Sequence, residues 1–257
     1  MTGAVVAGSI PPLSPSIILA PLPLQVQGDW AFVLDNWWYL TVGAGWTVAL
    51  TVSSVLLGVL VGFPAGAVET YGGPWARSVV SDVGVVLRGT PLLVILFFFY
   101  FGTPVGSILS DVVPYLGGAF LTAVLGLGLR SGAYQSQIFR GAFQSVDRGQ
   151  MEAARAVGLS KVAAIRHVVV PQAFRRSVPG FQNEMTIVLK DTSIAFAIGI
   201  SELLARGFDL FTQIDRTGAV MEVILTVSLV YFVLTFVANR ALDLVSAIYG
   251  IPTGENA

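Results

Sequence analysis

The 257-residue sequence has no cysteine and a single histidine, and only 11% of its residues are charged. Without cysteine the chain forms no disulfide, thiolate-ligated zinc site, iron–sulfur cluster or thiol nucleophile. One histidine, His167, excludes most histidine-based metal and catalytic clusters. Soluble domains carry about 25% charged residues, so the low charge argues against a soluble enzyme. The net charge of −1 gives no bulk attraction to nucleic acid.

The sequence also lacks the glycine-rich phosphate loop that ends in Gly-Lys-Ser or Gly-Lys-Thr. Its only two lysines, Lys161 and Lys190, lie in other contexts. Any nucleotide-driven step is therefore expected on a partner chain. We predict no catalytic residue, metal ion or cofactor in this chain.

Long apolar segments, in contrast, are abundant, since 54% of the residues are apolar. A helix needs about 20 mostly apolar residues to cross the hydrocarbon core of a membrane. Five segments meet this need: 37–68, 79–102, 116–139, 178–201 and 218–242. We therefore predict an all-α polytopic membrane protein with about five transmembrane helices in a domain spanning 36–249, surrounded by the lipid bilayer.

Basic residues are concentrated between the third and fourth predicted spans. Seven of the 14 lie there: Arg140, Arg148, Arg155, Lys161, Arg166, Arg175 and Arg176. The segments expected on the opposite side carry mainly carboxylates: Asp29, Asp35, Asp111, Glu202, Asp209 and Asp215. The positive-inside rule then places the N-terminus outside and the C-terminal tail, 250–257, in the cytoplasm of a multi-pass protein of the cytoplasmic membrane.

The first 35 residues contain five prolines and no basic residue. Proline at this density interrupts both helices and strands. We predict that 1–35 is an irregular external tail.

Two glycine and proline patterns predict local packing. Gly58, Gly62 and Gly66 share one face of the first span, which favours close helix packing within one subunit or across a dimer. Pro91, after Gly89 and Thr90, is expected to distort the second span, as is typical where a helix lines a substrate cavity.

The segment 149–171 predicts a compact pair of short helices. A helical stretch around 151–157 ends at Gly158, which adopts positive φ easily, and Ser160 can begin a second helix. Ala153 and Ala154 give a surface that a partner can approach closely, and Glu152 offers a carboxylate for a basic residue. An ordinary amphipathic loop fits the periodicity equally well.

The same segment resembles a known motif. The spacing of its residues is similar to that of the EAA loop of ABC importer permeases. It runs Glu152-Ala153-Ala154, three residues, Gly158, nine residues, three valines and Pro171. Val168 and Val170 are conservative departures from that pattern. The resemblance implies a type I importer permease whose loop docks, through Glu152, Ala153, Ala154, Gly158 and Pro171, into an ATP-binding subunit.

Other segments are similar to the polar amino acid branch of these permeases. They are Arg88-Gly89-Thr90-Pro91, Ala133-Tyr134, Phe139-Arg140-Gly141 and Lys190-Asp191-Thr192-Ser193. This chain has Gln137 where the branch usually has glutamate, so no negative charge is expected there. The resemblance implies two permease subunits, identical or homologous, two subunits that hold ATP and Mg²⁺, and an external solute-binding protein that delivers an amino acid.

Several polar residues are expected inside the membrane, where they usually face the bundle interior. The candidate substrate path consists of Arg88, Arg130, Tyr134, Gln137, Lys190, Asp191 and Thr192. Arg130, Tyr134 and Gln137 share one helix face, and Asn183, Thr186, Lys190 and Ser193 form another polar stripe. Three cations against one anion favour a site for a substrate carboxylate. The alternative is that these charges pair with each other or with carbonyl groups and join helices.

Three other functions remain open at this stage. The nearest is an ABC permease for another small solute, such as an oxyanion or a metal chelate. An intramembrane enzyme of the serine type needs a base at membrane depth, but the only histidine lies in the predicted cytoplasmic loop. A self-contained channel needs a carbonyl or carboxylate filter that the sequence does not resemble.

Overall fold

A computed structural model describes residues 30–212 and 219–248. Most of the predicted tail, the residues Asp29 and Asp215, and the C-terminal segment 250–257 lie outside the described residues. Every regular element within the described ranges is helical. This confirms the all-α prediction for that part of the chain.

Eleven α-helices are described. They are α1 (Trp30–Asp35), α2 (Trp37–Tyr71), α3 (Pro74–Gly89), α4 (Leu92–Phe101), α5 (Val105–Val112), α6 (Gly118–Ser145), α7 (Arg148–Ala156), α8 (Lys161–Ala164), α9 (Val170–Asp191), α10 (Leu203–Phe211) and α11 (Val220–Ile248). A 3₁₀ turn, Pro114–Leu116, precedes α6, a π-helical turn, Ile165–Val169, joins α8 to α9, and a 3₁₀ helix, Thr192–Ile198, follows α9.

The described end of the predicted irregular tail is helical. Residues 30–35 form α1, and Val33 from this helix is only 3% exposed. Val33 packs in an apolar cluster with Leu40, Leu203 and Val223. Burial against three other helices thus stabilises a turn that the local sequence does not predict.

The contact between α2 and α6 is very close because α2 presents glycines to its partner. A Cβ atom on Gly62 would lie 2.7 Å from the carbonyl oxygen of Gly132, and one on Gly66 would lie 2.7 Å from that of Ser136. Gly58 faces Gln135 in the same way. The three glycines therefore pack within one subunit, which decides between the two arrangements that the sequence allows.

The predicted second span is broken, as expected from its proline. Thr90 has extended backbone angles (φ −87°, ψ 131°) before Pro91, and α3 and α4 meet at 101°. Proline disfavours helical angles in the preceding residue, so the break falls at this pair. Leu92 and Leu96 of α4 then pack against Phe120 and Ala123 of α6.

The predicted fourth span, 178–201, has different boundaries. Helical structure runs from Lys161 through the π-helical turn into α9, which ends at Asp191, and a 3₁₀ helix continues to Ile198. The wider π turn ends at Val169, two residues before Pro171, whose missing N–H and bulky ring disturb regular α-helical bonding. The chain then turns at Gly199, which has φ +84°.

Length and composition alone identify fewer spans than the five predicted. Within the described residues, α2 and α11 are each long and apolar enough to cross a membrane, and the bent pair α3 and α4 makes a third if it is one span. Helices α6 and α9 contain 28 and 22 residues but carry more polar side chains. The number of five spans stays a prediction.

The α2–α6 contact predicts a position-dependent effect of enlarging glycine. Gly62→Leu is expected to cost about 1–3 kcal/mol of unfolding free energy, because the new side chain overlaps the α6 backbone. Gly45→Leu is the matched control, since a Cβ atom on Gly45 meets nothing within 4 Å. Thermal unfolding of the two variants in detergent measures the difference, and equal melting temperatures would contradict the described packing.

Candidate functional site

The EAA-like segment folds into a projecting pair of short helices, α7 and α8, which we call the knob (148–164). Asp147 begins α7 by accepting a hydrogen bond from the Gly149 N–H at 2.6 Å. Gly158 has φ +91°, a region that L-residues rarely occupy, and ends the first helix. The Ser160 hydroxyl oxygen accepts from the Ala163 N–H at 3.2 Å and begins α8. The predicted helix–glycine–helix arrangement is confirmed.

The outer surface of the knob combines small, acidic and apolar groups. Glu152 and Ala153 are exposed, whereas Ala154 is buried. The Glu152 carboxylate has no ion-pair partner among the described residues. Val157 and Val162 are 79% and 74% exposed. Sequence reasoning missed these two valines, although their position on either side of Gly158 was available as a signal.

The base of the knob is fixed to the helices α2, α6 and α9. An apolar cluster forms there. It contains Phe139 and Phe143 of α6, Val146 just after that helix, Val169 just before α9 and Ala173 in its first turn. The partly buried members of this cluster come from α2, the knob and α9: Val59, Phe63, Ala67, Tyr71, Met151, Val170 and Phe181. The Arg176 guanidinium also donates a hydrogen bond to the carbonyl oxygen of Ser145. Displacement of the knob must therefore act on these three helices together.

Two residues of the predicted substrate path form an ion pair between α6 and α9. Arg130 Nη1 lies 2.6 Å from Asp191 Oδ2, and the two side chains are 21% and 24% exposed. The Arg130 guanidinium also lies over the Tyr134 ring, 5.3 Å from its centroid. For Arg130 and Asp191 the helix-joining alternative therefore applies in this structure.

The remaining predicted path residues have separate environments. Arg88 Nη1 donates to the Ala133 carbonyl oxygen at 2.7 Å, which also joins helices. Lys190 is exposed and has no ion-pair partner among the described residues. Thr192 is fully buried and donates its hydroxyl to the Leu189 carbonyl, so the structure does not bring it to an open surface.

Glu184 adds a second carboxylate beside Asp191 among the charged residues expected near mid-membrane, which we call the charged layer. The expectation of a single anion there is therefore wrong. Its side chain is 4% exposed and accepts a hydrogen bond from the Ser131 hydroxyl at 2.7 Å. Ser131 follows Arg130 directly, and Glu184 therefore lies beside the Arg130–Asp191 pair. The excess of positive charge is smaller than the sequence predicts.

The Gln137 side chain donates hydrogen bonds to Glu69, a carboxylate that lies just outside the predicted first span. Helix α2 extends to Tyr71 and includes Glu69, which is 2% exposed. Gln137 Nε2 lies 3.0 Å and 2.8 Å from the two Glu69 carboxylate oxygens. Helical spacing from Gly66 was the available signal, because residues three apart share a helix face.

Glu202, predicted in an external segment, is fully buried. Its carboxylate accepts from the N–H groups of Leu204 and Ala205 at the start of α10, at 3.0 Å and 2.8 Å. The Tyr231 hydroxyl donates to the same carboxylate at 2.6 Å. Glu202 thus positions α10 against α11, and Asp209 of α10 is exposed.

Asn183 and Thr186 of the predicted polar stripe lie beside α11, whereas Lys190 is exposed and Ser193 falls in the 3₁₀ helix. The Thr186 hydroxyl lies 3.1 Å from Asn239 Oδ1, and Gln182 Nε2 donates to Asp243 Oδ1 at 2.7 Å. These four side chains, with Pro179 and Asn183, line an open groove of about 400 Å³. The described residues contain no group of three His, Asp or Glu side chains arranged to hold a metal ion.

Comparison with known proteins finds similarity over most of the chain. Residues 54–247 match the family described as "Binding-protein-dependent transport system inner membrane component". The chain is 34% identical over 215 residues to the "Glutamine transport system permease protein GlnP" of Escherichia coli (strain K12), covering 83% of this chain and 94% of the relative. It is 33% identical over 235 residues to the "Octopine transport system permease protein OccQ" of Rhizobium meliloti, covering 87% and 94%.

A solved structure has the same fold. One chain of "Crystal structure of an amino acid ABC transporter with histidines" is 30% identical to this chain with a TM-score of 0.72. The match covers 85% of this chain and 98% of that chain.

The Arg130–Asp191 pair predicts non-additive losses of stability. Arg130→Ala and Asp191→Ala are each expected to cost about 1–3 kcal/mol, because each leaves a partly buried charge unpaired. The double variant should cost less than the sum of the two. Thermal unfolding in detergent measures the cycle, and the exposed pair Ser78–Asp82 within α3, 3.3 Å apart, is the control with little expected loss. Strictly additive losses would show that the pair makes no energetic contact.

Proposed function

Because the chain belongs to the family of inner-membrane components of binding-protein-dependent transport systems, we propose that it is the permease subunit of an ATP-driven importer for polar amino acids. The named functions of the relatives support the substrate class: one carries the name of a glutamine permease and another that of an octopine permease. The similar solved chain belongs to an amino acid transporter. Family membership makes the chain a membrane permease.

The exposed knob is the observation that carries the coupling part of the proposal. Its outer surface offers one unpaired carboxylate, Glu152, and two exposed valines, Val157 and Val162. A groove on an ATP-binding subunit can cover the valines and pair a basic side chain with Glu152. The fixed base of the knob then transmits movement of the ATPase to α2, α6 and α9.

The mechanism that follows is alternating access driven by a partner. Two permease chains and two ATP-binding subunits form the transporter, with ATP and Mg²⁺ bound on the partner subunits. Closure of the ATPase dimer draws the two knobs together and opens the substrate path to the outside of the membrane. A solute-binding protein then releases the amino acid into it. Hydrolysis restores the inward-open path. The positive-inside rule supports an outside N-terminus and a knob in the cytoplasm.

Lys190 is the best candidate for contact with a substrate carboxylate. Arg130 is engaged by Asp191 and Arg88 by a carbonyl oxygen, whereas the exposed Lys190 ammonium has no ion-pair partner among the described residues. A cation near mid-membrane is stable only if it faces water or an anion. The Arg130–Asp191 pair and Tyr134 then form the adjacent wall of the path.

Reconstitution tests the function. The chain is purified from its host membrane in mild detergent with the subunits that accompany it, and uptake of labelled amino acids is measured in proteoliposomes that contain ATP. We expect uptake that requires ATP and a solute-binding protein. Uptake of an oxyanion or metal chelate instead would overturn the substrate class, and transport without ATP would overturn the importer.

Gly158→Val is expected to uncouple ATP hydrolysis from transport. Valine at φ +91° costs about 1–2 kcal/mol of backbone strain, so the knob is expected to deform. Gly73→Val is the matched control, because Gly73 has φ −67° and open space around its Cβ position. Uptake and ATPase rates are measured for both variants, and normal transport by Gly158→Val would refute the coupling role of the knob.

Lys190→Ala is expected to raise the KM for uptake about 10-fold or more, the loss typical of one charged hydrogen bond. Arg175→Ala, an exposed arginine of the same helix outside the predicted path, is the control and should leave KM unchanged. An unchanged KM in Lys190→Ala, with normal protein yield, would remove Lys190 from the substrate site.

A further inference from the structure

Glu69 is a buried carboxylate to which the transport mechanism above assigns no role. Its side chain is 1% exposed in the last turns of α2. Burying a carboxylate is costly unless several donors satisfy it. Its presence at a helix contact made of glycines and aromatic rings therefore needs a reason beyond packing.

All the described side-chain donors to Glu69 come from a single helix, α6. Gln137 Nε2 reaches both carboxylate oxygens, and the Ser136 hydroxyl lies 3.3 Å from Oε1. Arg140 Nη1 lies 3.3 Å from Oε2 and supplies the opposite charge. One carboxylate of α2 thus contacts three side chains of α6, at positions 136, 137 and 140.

These bonds fix the register of two helices whose other contacts are not directional. Close glycine packing and aromatic contacts, such as Phe63 with Phe139 at 5.1 Å, resist separation of the helices. They resist sliding or rotation less, because apolar contact has little directional preference. Charge-assisted hydrogen bonds are strong and directional, so the Glu69 cluster opposes those movements.

The cluster lies where movement of the knob must enter the membrane domain. Arg140 is near the end of α6 at Ser145, and only Val146 and Asp147 separate that helix from α7. A displacement of the knob therefore acts on the part of α6 that Glu69 holds. Within the described residues, helix α2 meets the base of the knob only through apolar contacts, and it moves by the same amount along its axis only if the two helices keep their register.

We propose that Glu69 is a positioning residue that locks the register of α2 and α6, so that movement of the knob displaces both helices as one unit. This inference rests on the proposed function, because it assigns to Glu69 a part in coupling ATP hydrolysis to transport. Glu69 itself touches neither nucleotide nor substrate.

The first test measures the ratio of ATP hydrolysed to amino acid transported by the reconstituted complex. Glu69→Ala is expected to raise this ratio about fivefold or more, the range of ordinary coupling effects. Gln137→Glu should also raise it, because two carboxylates would then face each other. The exchange Glu69→Gln with Gln137→Glu keeps one carboxylate–amide pair across the contact and should return the ratio to near the wild-type value.

Thr70→Ala is the matched control for this experiment. Thr70 follows Glu69 directly, and its hydroxyl bonds the Gly66 carbonyl of its own helix rather than α6. This variant should leave the ratio unchanged. A purely structural role of Glu69 would lower uptake and hydrolysis in proportion to the amount of folded complex, with an unchanged ratio, and would overturn the proposal, as would failure of the exchange to restore coupling.

The second test measures helix register without transport. Since the chain has no cysteine, spin labels can be attached to cysteines at Leu60 on α2 and Gly141 on α6, both exposed. We expect Glu69→Ala to broaden the distance distribution between the labels. An unchanged distribution would refute the register lock even if the chain transports amino acids. Broadening in a chain that shows no ATP-driven uptake would leave the lock intact and refute the proposed function instead.

Discussion

The close contact between α2 and α6 is the constraint on which the rest of the structure depends. With glycine at three successive turns of α2, the backbones approach until a Cβ atom on Gly66 would lie 2.7 Å from the Ser136 carbonyl oxygen. Polar groups sealed into such a contact have no access to water and must be satisfied within the protein. Gln135 meets this requirement in part: its Nε2 donates to the Val55 carbonyl at 3.2 Å and to the Ser131 hydroxyl oxygen at 3.0 Å, whereas its buried Oε1 has no partner among the described residues. The contact therefore sets which polar side chains α6 can turn toward α2 and which face α9.

Three buried carboxylates also have their hydrogen-bond partners within the protein. Glu69, Glu184 and Glu202 are each nearly or fully buried, and each accepts hydrogen bonds from a different helix neighbour. Glu69 joins α2 to α6, Glu184 joins α6 to α9, and Glu202 joins α10 to α11. Removing one partner from such a pair leaves a buried charge, which is why these contacts resist separation. In the transporter that we propose, the helices therefore move in two linked groups: α2 with α6 and α9, and α10 with α11. The knob is attached to the first group.

Sequence patterns predicted the features that depend on neighbouring residues. The glycine face of α2, the break at Pro91, the turn at Gly158 and the start of α8 at Ser160 all follow from local backbone chemistry. The angle of 101° between α3 and α4 did not, because it depends on how Leu92 and Leu96 pack against α6. Arg130 and Asp191 were recognised, but their pairing was not, because it depends on contact between α6 and α9 at residues 61 positions apart. The second carboxylate, Glu184, was left out of the count for the same reason. Glu69 was missed because it lies one residue beyond an uncharged run, and Glu202 because its burial depends on Tyr231 of a distant helix.

The most direct test of the account is a photo-crosslinking measurement on the knob. A photoreactive amino acid replaces Ala153, an exposed small residue of α7, and crosslinking is carried out in native membranes before mass spectrometry. Ser107, exposed on α5 at the opposite predicted side, is the control position. The account predicts that the label at position 153 captures a subunit containing a phosphate-binding loop of the Gly-Lys-Ser/Thr type, and that the label at position 107 does not. Capture of lipid alone at position 153, or of the same partner at both positions, would contradict the claim that this knob couples the permease to an ATPase.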